Sequence, residues 1–401
     1  MGNKILYANK KEKHNVVIAS VLLFILSNPY FFWWITENIA LRWLTVMSLG
    51  FVFYTQRGHI TNTDKKVNTL YIFVFLFFLI NAIFKGNITL FGILDVLPNL
   101  FLVFLLCGNI VFSEKVFQHF SKFFAIIMVL SICAEILYLS GVLPAIGTIT
   151  NTIQNRTYTV YPFLIVEQLT NDFQLSGMRF CGVYDEPGVI GTLSAVLLCI
   201  NQFKMKDWKN VVFLITGLLS MSLSFYVILT FCSLAYLVFV RKKYGIAALI
   251  CVSLFTFYLY TKDNIYFEVL IWDRIEWNED GGKFAGDNRM TDSANEYYET
   301  HVQGTKAFWL GLDDNKRFGE LAEGSSSYKI VIAKNGFIFC FLYIFCFILL
   351  AIYHKPSKFE FFIFTTLIVA NSMQRANVYS PLWVFLYAFY AKYGSRRLTI
   401  A

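Results

Sequence analysis

Long apolar runs recur along almost the whole chain, and they limit its fold more than any other feature. A helix that crosses a bilayer needs about 20 apolar residues. Runs of this kind lie near 16–34, 38–54, 68–84, 88–112, 120–143, 187–203, 210–222, 224–240, 245–261, 328–353, 357–375 and 379–392. The sequence therefore predicts an all-α polytopic membrane protein, with about twelve transmembrane helices in a single transmembrane domain.

Composition excludes several other classes of protein. Hydrophobic residues make up 57% of the chain and charged residues only 15%, against about 25% charged in an average soluble domain. A soluble core could not bury so much apolar surface, so an ordinary soluble enzyme and a disordered chain are excluded. The net charge of +8 does not indicate nucleic-acid binding, because the basic residues are divided among many loops. The cysteines show neither a disulfide framework nor metal-ligand spacing, so we expect no metal and no cofactor.

Basic residues occupy every second gap between the predicted spans. By the positive-inside rule these gaps are cytoplasmic, which places both termini inside. The basic segments Lys204–Lys209 and Arg241–Lys243 must then lie on the same side of the membrane. Two spans have to separate them, so we predict a break in the apolar run at Ser220, Ser222 and Ser224.

Two long connections fall on the outer side, at 144–186 and 262–327. The second is acidic and contains Ser293-Ala294-Asn295-Glu296, the pattern of a capping box. Apolar residues then follow at helical spacing as far as Trp309. We expect an amphipathic helix near 294–309 on the outer membrane surface. The alternative is a solvated loop with one short helix and no chemistry.

Ionisable residues inside the predicted spans lie mostly in the outer half of the membrane. They include Asp95, Glu135 and Lys334. Such groups are costly in a bilayer and usually face a polar interior. Their shared depth favours a polar cavity open to the outside. The alternative is that each group snorkels or pairs structurally, as Glu135 with Lys334.

A compact motif stands at the end of the first outer connection. It reads Arg179-Phe180-Cys181-Gly182-Val183-Tyr184-Asp185-Glu186-Pro187-Gly188. Pro187 suits the first turn of a helix, and Asp185 and Glu186 then lie at the positive end of the helix dipole. Glu186 could simply cap the helix, and Arg179 could simply anchor the chain at the membrane surface. Arginine, however, also grips phosphate well through parallel hydrogen bonds.

This motif resembles the O-antigen polymerase and ligase superfamily through Arg-Phe-x-Gly-x-x-x-Glu-Pro-Gly. Three further segments are similar to that superfamily in order and sidedness. They are Ser222-Leu223-Ser224, Trp309-Leu310-Gly311-Leu312, and Gly324-Ser325-Ser326-Ser327-Tyr328 followed by Asn335-Gly336-Phe337-Ile338.

The resemblance implies a glycosyltransferase on the outer face of the bacterial cytoplasmic (inner) membrane. Its partners would be membrane lipid and oligosaccharides linked to undecaprenyl pyrophosphate, with an associated chain-length regulator left open. A polymerase joins repeat units into an O-antigen or capsular chain, whereas a ligase transfers the finished chain to lipid A–core. Ligase-like members carry a histidine where this chain has Ser325–Ser327, which favours the polymerase. The ligase and a flippase for the same lipid-linked repeats remain alternatives.

The resemblance also suggests roles for residues in and near the outer loops. The leaving pyrophosphate needs cations that hold its charge, and the acceptor sugar hydroxyl needs a proton acceptor. The candidate catalytic residues are Glu186, Asp185 and, more weakly, His301. The candidate pyrophosphate- and glycan-binding residues are Arg179, Arg289, Arg375, Lys329 and Tyr184.

Overall fold

The structure, a computed structural model, describes most of the chain. The described residues are 2–56, 109–151, 156–168, 179–264, 290–322, 327–354, 356–374 and 380–393, together with a few short stretches and single positions. The predicted spans at 68–84 and 88–112 fall largely outside these residues.

Helices dominate the described residues, as the apolar runs predict. Numbered in chain order, they are α1 (Gly2–Ile25), α2 (Trp33–Thr36), α3 (Ile39–Thr55), α4 (Ile110–Leu139), α5 (Pro187–Ile200), α6 (Trp208–Leu219), α7 (Leu223–Ala235), α8 (Tyr244–Thr261), α9 (Asp292–His301), α10 (Lys306–Leu310), α11 (Lys316–Leu321), α12 (Tyr328–Asn335), α13 (Phe337–Tyr353), α14 (Lys358–Gln374) and α15 (Pro381–Tyr393).

Three of the described helices are long and apolar enough to cross a membrane: α4, α8, and α7 together with the π-helical turn Tyr236–Val240 that extends it. The number rises to five if each of two bent helix pairs counts as one span. This number does not fit the twelve predicted spans. Several predicted runs form helices that are too short, such as α5 with 14 residues and α6 with 12. At about 1.5 Å per residue, neither reaches the roughly 30 Å of a bilayer core.

Breaks in apolar helices account for much of this shortening. The predicted span 16–34 bends by 97° between the helical segments Glu12–Ile25 and Tyr30–Thr36, and the span 328–353 bends by 111° between α12 and α13. Residues 220–224, which contain Ser220, Ser222 and Ser224, are called the serine segment. The break predicted there is confirmed, because α6 ends at Leu219 and α7 begins at Leu223. In contrast, α4 runs unbroken through the basic loop expected around Lys115, whose ammonium lies 2.7 Å from the Glu12 carboxylate.

A small antiparallel sheet forms within the connection 144–186, and it was not predicted from the sequence. Its strands pair in the order β1 (Gly147–Asn151), β2 (Arg156–Tyr161) and β3 (Leu164–Glu167). The β-branched and aromatic residues of β2 suit a half-buried strand. A two-residue pair, β4 (Trp277–Asn278) with β5 (Lys283–Phe284), lies in the second connection.

The amphipathic helix expected at 294–309 is divided into α9 and α10. Thr291 caps α9, because its hydroxyl accepts from the amide of Ala294, so the predicted capping role of Ser293 is wrong. The apolar face of α9 packs within the protein. Ala294, Tyr298 and Val302 are buried with Phe318 in a small second core, because residues that follow in the chain cover this face.

At one end of the second core, the turn at Gly311 packs closely against the turn at Gly336. Gly311 and Gly336 both have a φ of +85°. A Cβ on Gly336 would lie 2.4 Å from the Trp309 carbonyl oxygen, and one on Gly311 would lie 2.7 Å from the Lys334 carbonyl oxygen. Only glycine permits both the backbone angle and the close approach.

The main core gathers buried residues of α1, α3–α7 and α13–α15. Within it, α5 approaches the serine segment closely. A Cβ on Gly191 would lie 2.3 Å from the Ser222 Cβ. Thr192 lies beside it, with its hydroxyl 3.1 Å from the Ser224 hydroxyl, and the Ser222 and Ser224 hydroxyls are 2.9 Å apart. Buried hydroxyls that bond one another can occupy an apolar core.

We expect Gly191→Ala to destabilise the protein, because the new methyl group would overlap the Ser222 Cβ, which no rotamer change can move. Overpacking of this kind costs about 1–3 kcal/mol. The measurement is the thermal unfolding midpoint of the purified chain in detergent. Gly319→Ala in α11 is the matched control, since a Cβ there meets nothing within 4 Å. Equal midpoints for the two variants would contradict the close packing.

Candidate functional site

The loop before α5, residues 179–186, is called the motif loop. Its first residues are joined to the end of α6. The Phe180 amide donates to the Leu219 carbonyl at 3.2 Å. The Arg179 guanidinium donates from Nε to the Ser220 carbonyl and from Nη2 to the Met221 carbonyl, both at 3.3 Å. Arg179 thus supplies donors to carbonyls that follow the end of a helix.

The middle of the motif loop is joined to the sheet. The Ile165 amide of β3 donates to the Gly182 carbonyl at 2.9 Å. The Tyr158 hydroxyl of β2 donates to the Asp185 carbonyl at 3.4 Å. Tyr158 is itself buried, with its ring centroid 5.6 Å from that of Trp33. The sheet therefore fixes the residue that directly precedes Glu186.

A third set of contacts joins the motif loop to the bend after α1. The Tyr30 amide donates to the Val183 carbonyl at 2.9 Å. The hydroxyls of Ser27 and Tyr184 are 2.8 Å apart. Tyr184 is fully buried. The structure thus places this predicted substrate-binding residue inside the core, beneath the loop rather than on its surface.

Gly182 is the position where the motif requires glycine. Its φ is +52°, and a Cβ there would lie 3.2 Å from Ile190 and 3.3 Å from both Phe180 and Ser131. A larger residue would be strained in its backbone and crowded on all sides.

The two acidic residues of the motif lie at the start of α5. Pro187 takes the first helical position, as predicted, and Glu186 is the N-cap residue. The Glu186 side chain makes no capping hydrogen bond, so the geometry does not use its carboxylate as a cap. Glu186 is partly exposed, whereas Asp185 is 9% exposed.

The sheet adds charged groups that the sequence reading missed. The Arg156 guanidinium of β2 lies 3.4 Å from the Glu167 carboxylate of β3. Burial raises the pKa of Tyr158, and the carboxylates of Asp185 and Glu167 raise it further. The alternating β-branched and aromatic residues from 156 to 161 were the available signal for the strand. That Arg156 pairs with Glu167 could not be predicted, because it depends on the register between β2 and β3.

Charged groups from several elements act on the Cys181 thiol in the motif loop. Burial raises the pKa of the Cys181 thiol. Arg179 acts to lower that pKa, whereas Asp185, Glu135 and Glu167 act to raise it. Carboxylates from α4, from the sheet and from the motif loop therefore act on one small region.

Lys329 lies in the second core instead, and His301 lies on the exposed surface of α9. The Lys329 ammonium donates to the Asn295 amide oxygen at 2.7 Å and lies 5.6 Å from the centre of the Tyr298 ring. His301 is exposed, and its ring stacks on Tyr297 with centroids 4.2 Å apart. These contacts are with α9, not with the motif loop.

Two predicted cations, Arg289 and Arg375, lie outside the described residues. Within the part of the chain that the structure describes, no three His, Cys, Asp or Glu side chains are grouped closely enough to hold a metal ion.

Comparison with family models, curated proteins and solved structures finds no match for this chain. The motifs named above nevertheless pair in space. The motif loop and α5 contact the serine segment through Arg179 and Gly191, and the turn at Gly311 contacts the break at Gly336. Segments far apart in sequence thus form two compact contacts.

We expect Tyr184→Phe and Ser27→Ala each to lower the free energy of unfolding by about 1 kcal/mol, because each removes one partner of a buried hydrogen bond. The double variant should lose less than the sum of the two, with a coupling of about 0.5 kcal/mol or more. Thermal unfolding in detergent measures the cycle. Tyr260→Phe, at a residue that is 88% exposed, is the control. Strict additivity would contradict the contact.

Proposed function

We propose that the protein is a glycosyltransferase that polymerises undecaprenyl-pyrophosphate-linked oligosaccharide repeats into O-antigen or capsular polysaccharide. The proposed location is the outer face of the bacterial inner membrane. Both termini lie in the cytoplasm in this proposal, and the connections 144–186 and 262–327 face outward.

The observation that carries the proposal is the construction of the motif loop. A segment with the pattern Arg-Phe-x-Gly-x-x-x-Glu-Pro-Gly lies where two apolar helices break and a small sheet meets them. Its carboxylates stand at a helix start, and Arg179 and Arg156 contribute cations to the same region. Acid and base groups beside cations are what transfer from a pyrophosphate donor requires.

In the proposed reaction, a hydroxyl of the acceptor sugar attacks the anomeric carbon of the donor sugar. The new glycosidic bond forms as the bond to the pyrophosphate oxygen breaks, and undecaprenyl pyrophosphate leaves with that electron pair. Glu186 accepts the hydroxyl proton, since it stands at the start of α5 and is partly exposed. Cations near the motif loop hold the charge of the leaving pyrophosphate.

Deletion of the gene, followed by a gel of the surface lipopolysaccharide, tests the proposal. We expect loss of the ladder, with a single repeat unit still attached to core. Bare core with long chains left on the lipid carrier would indicate the ligase instead. Bare core with only single, cytoplasm-facing repeats on the carrier would indicate the flippase. If the ladder is unchanged, capsule is examined in the same way, and an unchanged capsule would overturn the proposal.

We expect Glu186→Gln to lower the polymerisation rate by about 100-fold or more, because an amide cannot accept the proton that a general base removes. The assay is complementation of the deletion strain, with protein levels measured by immunoblot. Glu320→Gln, at an exposed position in α11, is the matched control. A full ladder with Glu186→Gln at a normal protein level would exclude Glu186 as the base.

A further inference from the structure

Two apolar helices are joined by a short basic turn. α7, together with the π-helical turn Tyr236–Val240 that extends it, and α8 are both long and apolar enough to cross a membrane. Only Arg241, Lys242 and Lys243 separate them, and these three residues are called the basic turn. Two spans joined by so short a connection bring it to the level of the lipid headgroups.

The surface of α8 supports this placement. Only two of its 18 residues are buried, whereas large apolar side chains such as Leu249 and Phe255 are exposed. Large exposed apolar surfaces of this kind are typical of contact with a membrane. Phe239 and Tyr244, which lie on either side of the basic turn, are exposed as well. Aromatic side chains are enriched where acyl chains meet headgroups.

The Arg241 guanidinium is held against the π-helical turn. Its Nε atom donates to the Tyr236 hydroxyl at 3.0 Å, and its Cζ atom lies 5.6 Å from the centre of the Tyr236 ring. Among the described residues, no hydrogen bond engages its two Nη groups. The side chain is therefore fixed by one donor, and the others remain available to grip a phosphate group.

The backbone of the basic turn is left-handed at Lys242, where φ is 51°. The Arg241 amide donates to the Tyr236 carbonyl at 3.1 Å. The Lys243 amide donates to the Leu237 carbonyl at 2.9 Å. Glycine is the usual residue where a helix ends in a left-handed turn. A lysine kept in this strained conformation is a candidate for function.

α14 brings a fourth cation to the basic turn. The Tyr236 ring packs against Phe359, with centroids 5.8 Å apart, and the exposed residue Lys358 directly precedes Phe359. The rings of Phe239 and Phe362 form a second contact between the same two segments, with centroids 6.1 Å apart. Cations from two distant parts of the sequence thus lie at one end of a packed helix pair.

Carboxylates do not neutralise these cations in the part of the chain that the structure describes. No ion pair there includes Lys358 or a residue of the basic turn. Glu360, the acidic residue in the first turn of α14, is buried and accepts hydrogen bonds from the amide and the hydroxyl of Ser357, at 3.1 and 3.0 Å. The positive charge is therefore open to an anion from outside the chain.

We propose that the basic turn and Lys358 bind the phosphate headgroup of an anionic phospholipid, with Phe239 and Tyr244 beside its acyl chains. Arg241 donates parallel hydrogen bonds to the phosphate oxygens, and the lysines add charge. The topology proposed above places the basic turn in the cytoplasm, where anionic lipids make the membrane surface negative. The inference concerns a different part of the chain from the motif loop and does not depend on the proposed reaction.

Native mass spectrometry of the full chain in detergent, with increasing phosphatidylglycerol, measures the dissociation constant of bound lipid. Phosphatidylcholine with the same acyl chains is the comparison. We expect wild type to bind phosphatidylglycerol about 10-fold more tightly, because each basic residue near the surface favours anionic lipid. Arg241→Gln/Lys242→Gln/Lys243→Gln should lose this preference. Tyr236→Phe, which releases the guanidinium, should weaken phosphatidylglycerol binding by about 3-fold.

The matched control is Lys122→Gln/Lys204→Gln/Lys206→Gln, which also removes three positive charges from exposed positions. It should keep the preference for phosphatidylglycerol. Thermal unfolding in detergent checks that every variant is folded. An equal loss of preference in the control, or equal binding of the two lipids by wild type, would overturn the inference.

A phosphatidylglycerol with a photoreactive group close to its headgroup tests the wild-type chain directly. We expect tandem mass spectrometry to locate its crosslinks in residues 236–244 or at the start of α14. Soluble glycerol 1-phosphate should compete poorly, because it lacks the acyl chains. Crosslinks confined to other segments would overturn the inference. Competition by glycerol 1-phosphate as strong as that by phosphatidylglycerol would instead indicate a site for free phosphate and would overturn the assignment to a lipid.

Discussion

Each break in an apolar helix leaves amide and carbonyl groups that need hydrogen-bond partners, and this need organises the structure around the motif loop. Water is scarce around buried apolar helices, so such groups must be satisfied within the protein. The motif loop bonds to carbonyls at the end of α6, to the amide that follows the bend after α1, and to the edge of β3. One loop thereby completes three other elements, and each of them in turn fixes its position.

The backbone is unusual at each of these three contacts. Asn28 at the first bend, Phe163 at the turn between β2 and β3, and Met221 in the serine segment have φ values of 65°, 60° and 45°. Left-handed backbone at residues other than glycine costs about 1–3 kcal/mol and persists only where the surroundings hold it. Phe163 is held by packing, since the centroid of its ring lies 5.8 Å from that of the Phe31 ring. The strained residues therefore lie at the places where other elements contact the motif loop.

Sequence patterns could predict some of this arrangement and not the rest. The serine break follows from charge alternation, and Pro187 at the first position of α5 follows from its missing amide hydrogen. The bends near Asn28 and Gly336 carry turn signals, Asn28-Pro29 and Asn335-Gly336. Each was nevertheless predicted as part of a single span, because long apolar runs lie on either side. The pairing of Arg156 with Glu167 depends on strand register, and the face of α9 depends on which surface covers it. Both are tertiary facts that local patterns do not contain.

The division of the predicted residues between two cores bears on which of them could act together. Glu186 follows a peptide that is hydrogen-bonded to the sheet, so its position is constrained before any substrate arrives. His301 is exposed at the end of α9 and stacked on Tyr297, and Lys329 is hydrogen-bonded to Asn295 in the second core. A proton acceptor is effective when its geometry is set in advance. The constraint on the motif loop therefore favours Glu186 over His301 as the base in the proposed reaction.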